Sequence, residues 1–285
     1  MNLLGVVRRL MLFVVAACFF QMPFAALAAS HAASNGSDST NEAEGSLAAV
    51  RKSGVLRVGV AINAPWVFRD SSGQWNGLEI DLLRQLAQDM TWKLDIVPTT
   101  WAHAIDDLRA HRFDVLAGGL SITPQRALLL KFSRPYGDYA LGLVVNRQAI
   151  GTDDVTTLQS GSSHKIGVLS GTVTAATTKE YFGQSEIVGI QDETQAIKDV
   201  RDGKLDGFMA EEPVPTALAK VYSSQLRTLD VQTYGRTAHA FAVRRGDGDL
   251  LDVVNAWLTY QQASGWIRSR EDFWIHHPDW VQLAQ

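Results

Sequence analysis

Across 285 residues the chain has a single cysteine, Cys18. A disulfide framework and a cysteine-built metal site are therefore excluded. An excess of positive charge is missing too. The 26 Lys and Arg are outnumbered by 30 Asp and Glu, the formal net charge is −4, and no basic patch forms along the chain. Nucleic acid is not an expected partner, because proteins that bind it carry a clustered Lys and Arg footprint. Sequence signatures of common catalytic loops are also absent: there is no Gly-x-Ser-x-Gly elbow, no phosphate-cradling Gly-x-x-x-x-Gly-Lys and no Gly-x-Gly-x-x-Gly. His103, His111, His164 and His239 are scattered, and His276 and His277 are adjacent rather than at ligand spacing. Neither a metal nor a cofactor is expected. Low complexity is confined to one short stretch, so disorder does not dominate.

What is present suits a globular protein, with 46% hydrophobic and 20% charged residues. The length suits one large domain or two lobes of roughly 100–150 residues. Arg8 and Arg9 precede an apolar run from Leu10 to Phe20 that continues, broken by Gln21 and Pro23, towards Ala29. Ala26-Leu27-Ala28 then offers small residues for cleavage. This pattern predicts a signal peptide over 1–28 and export to the periplasm. Val15-Ala16-Ala17-Cys18 also resembles a lipoprotein box, which makes lipid anchoring at Cys18 the alternative. Residues 29–46 are small and polar and predict a flexible leader. No later segment is apolar enough to span a membrane.

The rest of the chain reads as strands and helices in alternation. Leu56–Val60 is a strand, and a helix follows Asn76-Gly77 with Ile80, Leu83, Leu86, Ala87 and Met90 at helical spacing. Leu94–Val97 is a strand, Thr99 or Thr100 is the expected cap of a helix through Leu108, and Phe113–Ala117 is a strand. The order β-α-β-α-β implies an α/β lobe with a largely parallel sheet. A second series begins at Lys165–Val168. AIDDLRAHRFDV (104–115) matches AIKDVRDGKLDG (196–207) in Ala, Ile, Asp, Arg and Asp, at a constant offset of 92 between Ala104 and Ala196. Two similar lobes are the simplest reading.

Ligands sit at the carboxyl ends of strands in open α/β sheets. The first such end is Gly118-Gly119-Leu120-Ser121-Ile122-Thr123, and the counterpart 92 residues on is Ala210-Glu211-Glu212. The two glycines let backbone amides approach a ligand closely. Arg126, on the turn after Pro124, offers a planar fork suited to a carboxylate; a surface Arg paired with nothing is the plain alternative. Ser170-Gly171-Thr172-Val173 precedes a helix whose free N–H groups favour an anion, or is only a capped turn. Glu211 suits an ammonium, or is a solvated loop acid. Trp66, Phe68 and Trp101 could sandwich a ligand, although core packing is the stronger reading for Phe68.

Taken in order, several motifs resemble the bacterial extracellular solute-binding proteins of family 3. They are Gly54-x-Leu56-x-Val58-Gly59-Val60, Pro65-Trp66-x-Phe68, Gly77-Leu78-Glu79-Ile80-Asp81-Leu82, Leu120-Ser121-Ile122-Thr123-x-x-Arg126, Phe132-Ser133-x-Pro135-Tyr136, Ile166-Gly167-Val168-Leu169-Ser170-Gly171-Thr172 and Leu205-Asp206-Gly207. The resemblance implies an α/β, two-lobed, type II periplasmic binding fold with two hinge crossovers, near Gly137–Tyr139 and Tyr234–Thr237. Lobe one would span 47–137 and 237–285, and lobe two 138–236. It implies a monomeric receptor that closes on a small carboxylate-bearing ligand, an amino acid or a relative of one, and delivers it to a membrane ABC permease. Arg126 would hold the ligand carboxylate with Ser121 and the amides near Thr172 and Val173. Glu211, where the family usually has Asp, would hold the ammonium with the Gly119 backbone, and Asn63 and Trp101 would line the side-chain pocket. Val173 stands where relatives often have a hydroxyl.

The tail, with Trp257, Trp266, Trp274 and Trp280, resembles that of periplasmic cyclohexadienyl dehydratases. That likeness implies a second function, a lyase acting on prephenate or arogenate through a protonated acid. The acid would fall at Val214, leaving Glu211 or Glu212 to substitute for it. A third possibility is an accessory protein that binds another protein. For the tail alone, the plain reading is an amphipathic helix whose Trp residues pack on lobe one.

Overall fold

The structure, a computed structural model, describes residues 45–160, 163–231 and 235–284. The expected signal peptide, Cys18, almost all of the leader and Tyr234 of the second crossover lie outside the described residues. Ser46, read above as the last leader residue, is buried and opens the first helix.

The chain begins with α1 (Ser46–Ser53) and β1 (Val55–Val60), followed by a short antiparallel pair, β2 (Phe68–Arg69) and β3 (Trp75–Asn76). Next come α2 (Leu78–Asp89), β4 (Lys93–Pro98), α3 (Ala104–Arg109), β5 (Val115–Ala117), α4 (Pro124–Ala127) and β6 (Leu130–Phe132). The ten-residue β7 (Gly137–Asn146) leads to α5 (Thr156–Ser160), β8 (Lys165–Leu169), α6 (Val173–Tyr181), β9 (Glu186–Ile190), α7 (Glu193–Arg201) and β10 (Gly207–Glu211). Then follow α8 (Val214–Val221), β11 (Leu226–Leu229), β12 (Arg236–His239) and β13 (Ala242–Arg244). The tail is α9 (Gly248–Ala263), α10 (Trp266–Ile275) and α11 (Trp280–Leu283).

Two sheets carry the fold, and their orders correspond. The first runs β4-β1-β5-β13-β6; the second, read from its other edge, runs β9-β8-β10-β7-β11. In each, three parallel strands meet an antiparallel fourth: β13 against β5, and β7 against β10. The repeated segment supplies α3 and the strand β5 to the first lobe, and α7 and the strand β10 to the second. Each antiparallel strand follows a crossing between the sheets. The first half of β7 pairs with β12, Gly137 opposite His239 and Tyr139 opposite Thr237, so the two crossings are hydrogen-bonded to each other.

Helix α2 shows why the first lobe holds together. Leu78, Leu82, Leu83 and Leu86 form its buried face, and Glu79 and Asp81 occupy the first turn, where the helix dipole favours acids. The tail packs on this helix. The Trp274 indole donates to Asp81 at 2.8 Å and its ring meets Phe68 edge-on at 5.7 Å, while the Trp257 indole donates to Asp89 at 2.8 Å. The Trp-rich segment therefore serves as a clamp on lobe one.

One expected cap differs. Neither Thr99 nor Thr100 caps α3 with its hydroxyl. The Thr100 carbonyl accepts the His103 and Ala104 N–H groups, which inserts a turn before the helix. The Thr99 hydroxyl instead donates to Asp107 at 2.6 Å. Among the described residues no helix is long and apolar enough to cross a membrane.

Trp274→Phe keeps an aromatic ring against Phe68 but removes the indole N–H and its bond to Asp81. It is expected to cost about 1 kcal/mol and to lower the Tm by roughly 2–4 °C. An unchanged melting curve would show that the tail is not pinned there.

Candidate functional site

The strands β5 and β10 end facing each other, and a pocket with about 420 Å³ of empty space, part of it open solvent, lies between them. Lobe one contributes Asn63, Trp101, Gly119, Ser121 and Arg126; lobe two contributes Leu169, Thr172, Thr174, Glu193, Glu211 and the β10 segment 208–210.

The floor on the lobe-one side is built from inside. Glu79 is fully buried on α2, and its carboxylate accepts the N–H groups of Gly118 and Gly119 and the Tyr136 hydroxyl. Burial raises the pKa of this carboxyl, against the lowering effect of its hydrogen bonds and of His239. The expectation that the glycine amides approach a ligand is thus corrected: they point inward to Glu79. Gly119 sits at φ +79°, and a Cβ there would meet Asn63 Nδ2 at 2.7 Å. Asn63 in turn donates to the Gly118 carbonyl at 3.0 Å.

Arg126 is placed by α4. Thr123 caps that turn by accepting the Arg126 N–H at 3.1 Å, with Pro124 at the first helical position. One arm of the guanidinium donates to the Ser121 carbonyl at 2.9 Å and the other crosses to the Gly171 carbonyl at 3.3 Å. Burial lowers its pKa and Glu211 works against that. On the other side Glu211 is buried at the end of β10, where it accepts from the Thr237 hydroxyl and lies 2.9 Å from His239 Nε2. His239 is fully buried, with Tyr139 at 4.7 Å and Trp66 at 5.0 Å between ring centroids.

A second bridge joins the lobes. The Ala64 N–H donates to Glu193 at 3.0 Å. Glu193 is the first residue of α7, and burial raises its pKa to about 7, with Asp192 and Glu211 adding repulsion. Two polar bridges across the cleft make this a closed arrangement.

The chain from residue 56 to 277 matches the bacterial extracellular solute-binding proteins, family 3. It belongs to that family. An L-cystine-binding protein, TcyJ of Escherichia coli K12, is 25% identical over 233 residues, 81% of this chain and 86% of that protein. The cyclohexadienyl dehydratase of Pseudomonas aeruginosa is 25% identical over 243 residues, 82% of this chain and 87% of that enzyme. Among solved structures, an ancestral amino acid-binding protein described as a precursor of cyclohexadienyl dehydratase is 28% identical, with a TM-score of 0.72 over 81% of this chain and 99% of that one. The fold is that of the type II periplasmic amino acid-binding proteins.

Within this family member the structure brings together Asn63, Trp101, Gly119, Ser121, Arg126, Thr172 and Glu211. It does not bring Trp66, which is fully buried beneath the site and supports His239 and Tyr139. Nor does Val173 line the pocket; it opens α6, and its neighbour Thr174 is the lining residue. The Thr172 hydroxyl is engaged as the α6 cap, accepting the Ala175 N–H at 3.2 Å and donating to the Leu169 carbonyl at 2.7 Å. Glu212 turns away from the pocket, its carboxylate accepting the Thr216 N–H at 3.3 Å. Among the described residues no group of His, Cys, Asp and Glu could hold a metal ion.

The sequence reading missed Glu193, Thr174, His239 and the role of Glu79. Glu193 had a signal: it lies 92 residues after Trp101, as Glu211 lies 92 after Gly119. His239 had none, because it comes beside Glu211 and Ser121 only through pairing between segments far apart in the chain.

The raised pKa of Glu193 has a definite sign. The folded, ligand-free protein holds its proton to higher pH than the unfolded chain does. Stability therefore falls as pH rises from about 4.5 to about 7, by up to about 3 kcal/mol. The Tm of Glu193→Gln should lack this loss and exceed the wild-type Tm at pH 7.5 more than at pH 5. Parallel curves for the two proteins would refute the assignment.

Proposed function

We propose that this protein is a periplasmic receptor that binds an amino acid in the cleft and delivers it, as a closed monomer, to a membrane ABC importer. The observation that carries this reading is the pairing of Arg126 and Glu211 in one lobe-bridging pocket. A guanidinium fork and a buried carboxylate complement the α-carboxylate and α-ammonium of an amino acid. The described activities of the relatives, L-cystine binding and ancestral amino acid binding, support the same class of ligand.

Arg126 comes from lobe one and Glu211 from lobe two, so only the closed form can engage both ends of the ligand. That differential affinity shifts the lobes towards closure. Two bridges already cross between the lobes, Arg126 to the Gly171 carbonyl and the Ala64 N–H to Glu193. The competing lyase reading looks for an acid at 214, and Val214 there is buried on the first turn of α8.

A thermal-shift screen of the mature protein against the twenty amino acids, followed by calorimetry on hits, tests the proposal. Arg126→Ala should weaken binding by roughly 30- to 1,000-fold, as for a buried charge pair losing one partner, with little change in Tm. Unaltered affinity would remove Arg126 from the site, and no hit at all would overturn the receptor reading.

A further inference from the structure

The pocket holds more negative charge than an ordinary amino acid can answer. Its charged lining residues are Arg126, Glu211 and Glu193. An α-carboxylate on Arg126 and an α-ammonium on Glu211 account for two of them and leave Glu193 over. A buried carboxylate left without a partner is costly. Glu193 is only 6% exposed, and one oxygen accepts the Ala64 N–H at 3.0 Å. Its other oxygen has no partner among the described residues. The pocket is also lined by Trp101, Leu169, Phe208 and Met209, whose apolar surfaces suit methylenes. The indole N–H of Trp101 is likewise buried without a partner among the described residues.

We infer that Glu193 forms the anionic end of the side-chain subsite, and that the ligand is an amino acid with a second, distal cationic group, of the lysine and ornithine class. This rests on the receptor reading above. The cation would sit against Glu193 and within reach of the Trp101 ring face, with the stem along the apolar wall.

The groups around Glu193 are consistent with this. Asp192 caps its own helix and Glu211 faces it from β10; both repel its charge. Arg126 on α4 is occupied at the Ser121 and Gly171 carbonyls. His239 on β12 is paired with Glu211, and Glu79 on α2 is enclosed by Gly118, Gly119 and Tyr136. No protein cation is thus assigned to Glu193, and burial raises its pKa to about 7, which leaves the carboxyl about half-protonated at pH 7. An arriving ammonium favours the ionised form, so the carboxyl proton leaves for solvent as the ligand binds.

Calorimetry at pH 7 with L-lysine, L-ornithine and the uncharged L-norleucine, in two buffers of different ionisation enthalpy, tests the inference. L-Lysine or L-ornithine should bind roughly 10- to 100-fold more tightly than L-norleucine, the range for a hydrogen bond to a charged group. About half a proton should be released per ligand bound. Glu193→Gln, which retains an oxygen for the Ala64 N–H, should lose that preference and the proton release. A misfolded variant would be seen in its melting curve, and the wild-type proton release stands without it. If a neutral or acidic amino acid binds as tightly as L-lysine, or if Glu193→Gln changes nothing, the inference is overturned and the receptor reading survives. If the wild type binds no amino acid, both fall.

Discussion

The carboxylate of Glu79 organises the lobe-one side of the cleft from within. It takes two consecutive backbone N–H groups, from Gly118 and Gly119, and a phenolic hydroxyl from Tyr136. Those amides come at the end of β5, where no further strand pairing would satisfy them, and a buried unpaired N–H is expensive. By holding them, Glu79 turns the Gly118–Ser121 loop so that its other face lines the pocket. Asn63 braces the same loop through the Gly118 carbonyl. The position of Arg126 depends on this arrangement, because its guanidinium is anchored on the Ser121 carbonyl.

The second lobe meets this floor through the hinge as well as through the cleft. Thr237 and His239 belong to β12, a crossing strand, yet their side chains hold Glu211 at the end of β10. Trp66 and Tyr139 enclose His239 in turn, and the Tyr139 hydroxyl donates to Glu271 of the tail at 3.0 Å. A chain of contacts therefore runs from the C-terminal helices, through the crossing strands, to the Glu211 carboxylate that lines the pocket. The Trp-rich tail has the same logic: by gripping Asp81 and Asp89 on α2 it fixes the helix that carries Glu79.

The electrostatics of the cleft are asymmetric. Lobe one supplies a single cation, and lobe two supplies two carboxylates on neighbouring elements, the end of β10 and the start of α7. Closure removes all three from water together. In that drier setting each charge asks for a partner, and the partners a zwitterionic amino acid offers are one of each sign.

Much of this was legible in the sequence, and for identifiable reasons. Helical periodicity marks α2 and α7 because each buries one face, and strand patterning marks β1 and β4, which pair within the first sheet. The 92-residue offset between Ala104 and Ala196 exposed the duplicated architecture, since equivalent elements face equivalent environments. Arg126 and Glu211 were findable as charged residues at strand ends, where side chains of an α/β lobe reach the cleft. What the amino-acid order determined by itself is the two-lobed α/β class and those two opposed charges, because both follow from local pattern. Only the tertiary structure decided that Trp66 is core, that the Gly118 and Gly119 amides are spent on Glu79, and that Glu193 and His239 belong to the site. Those outcomes depend on which groups compete for the same buried donors and acceptors. That competition is set by residues far apart in the chain and near in space.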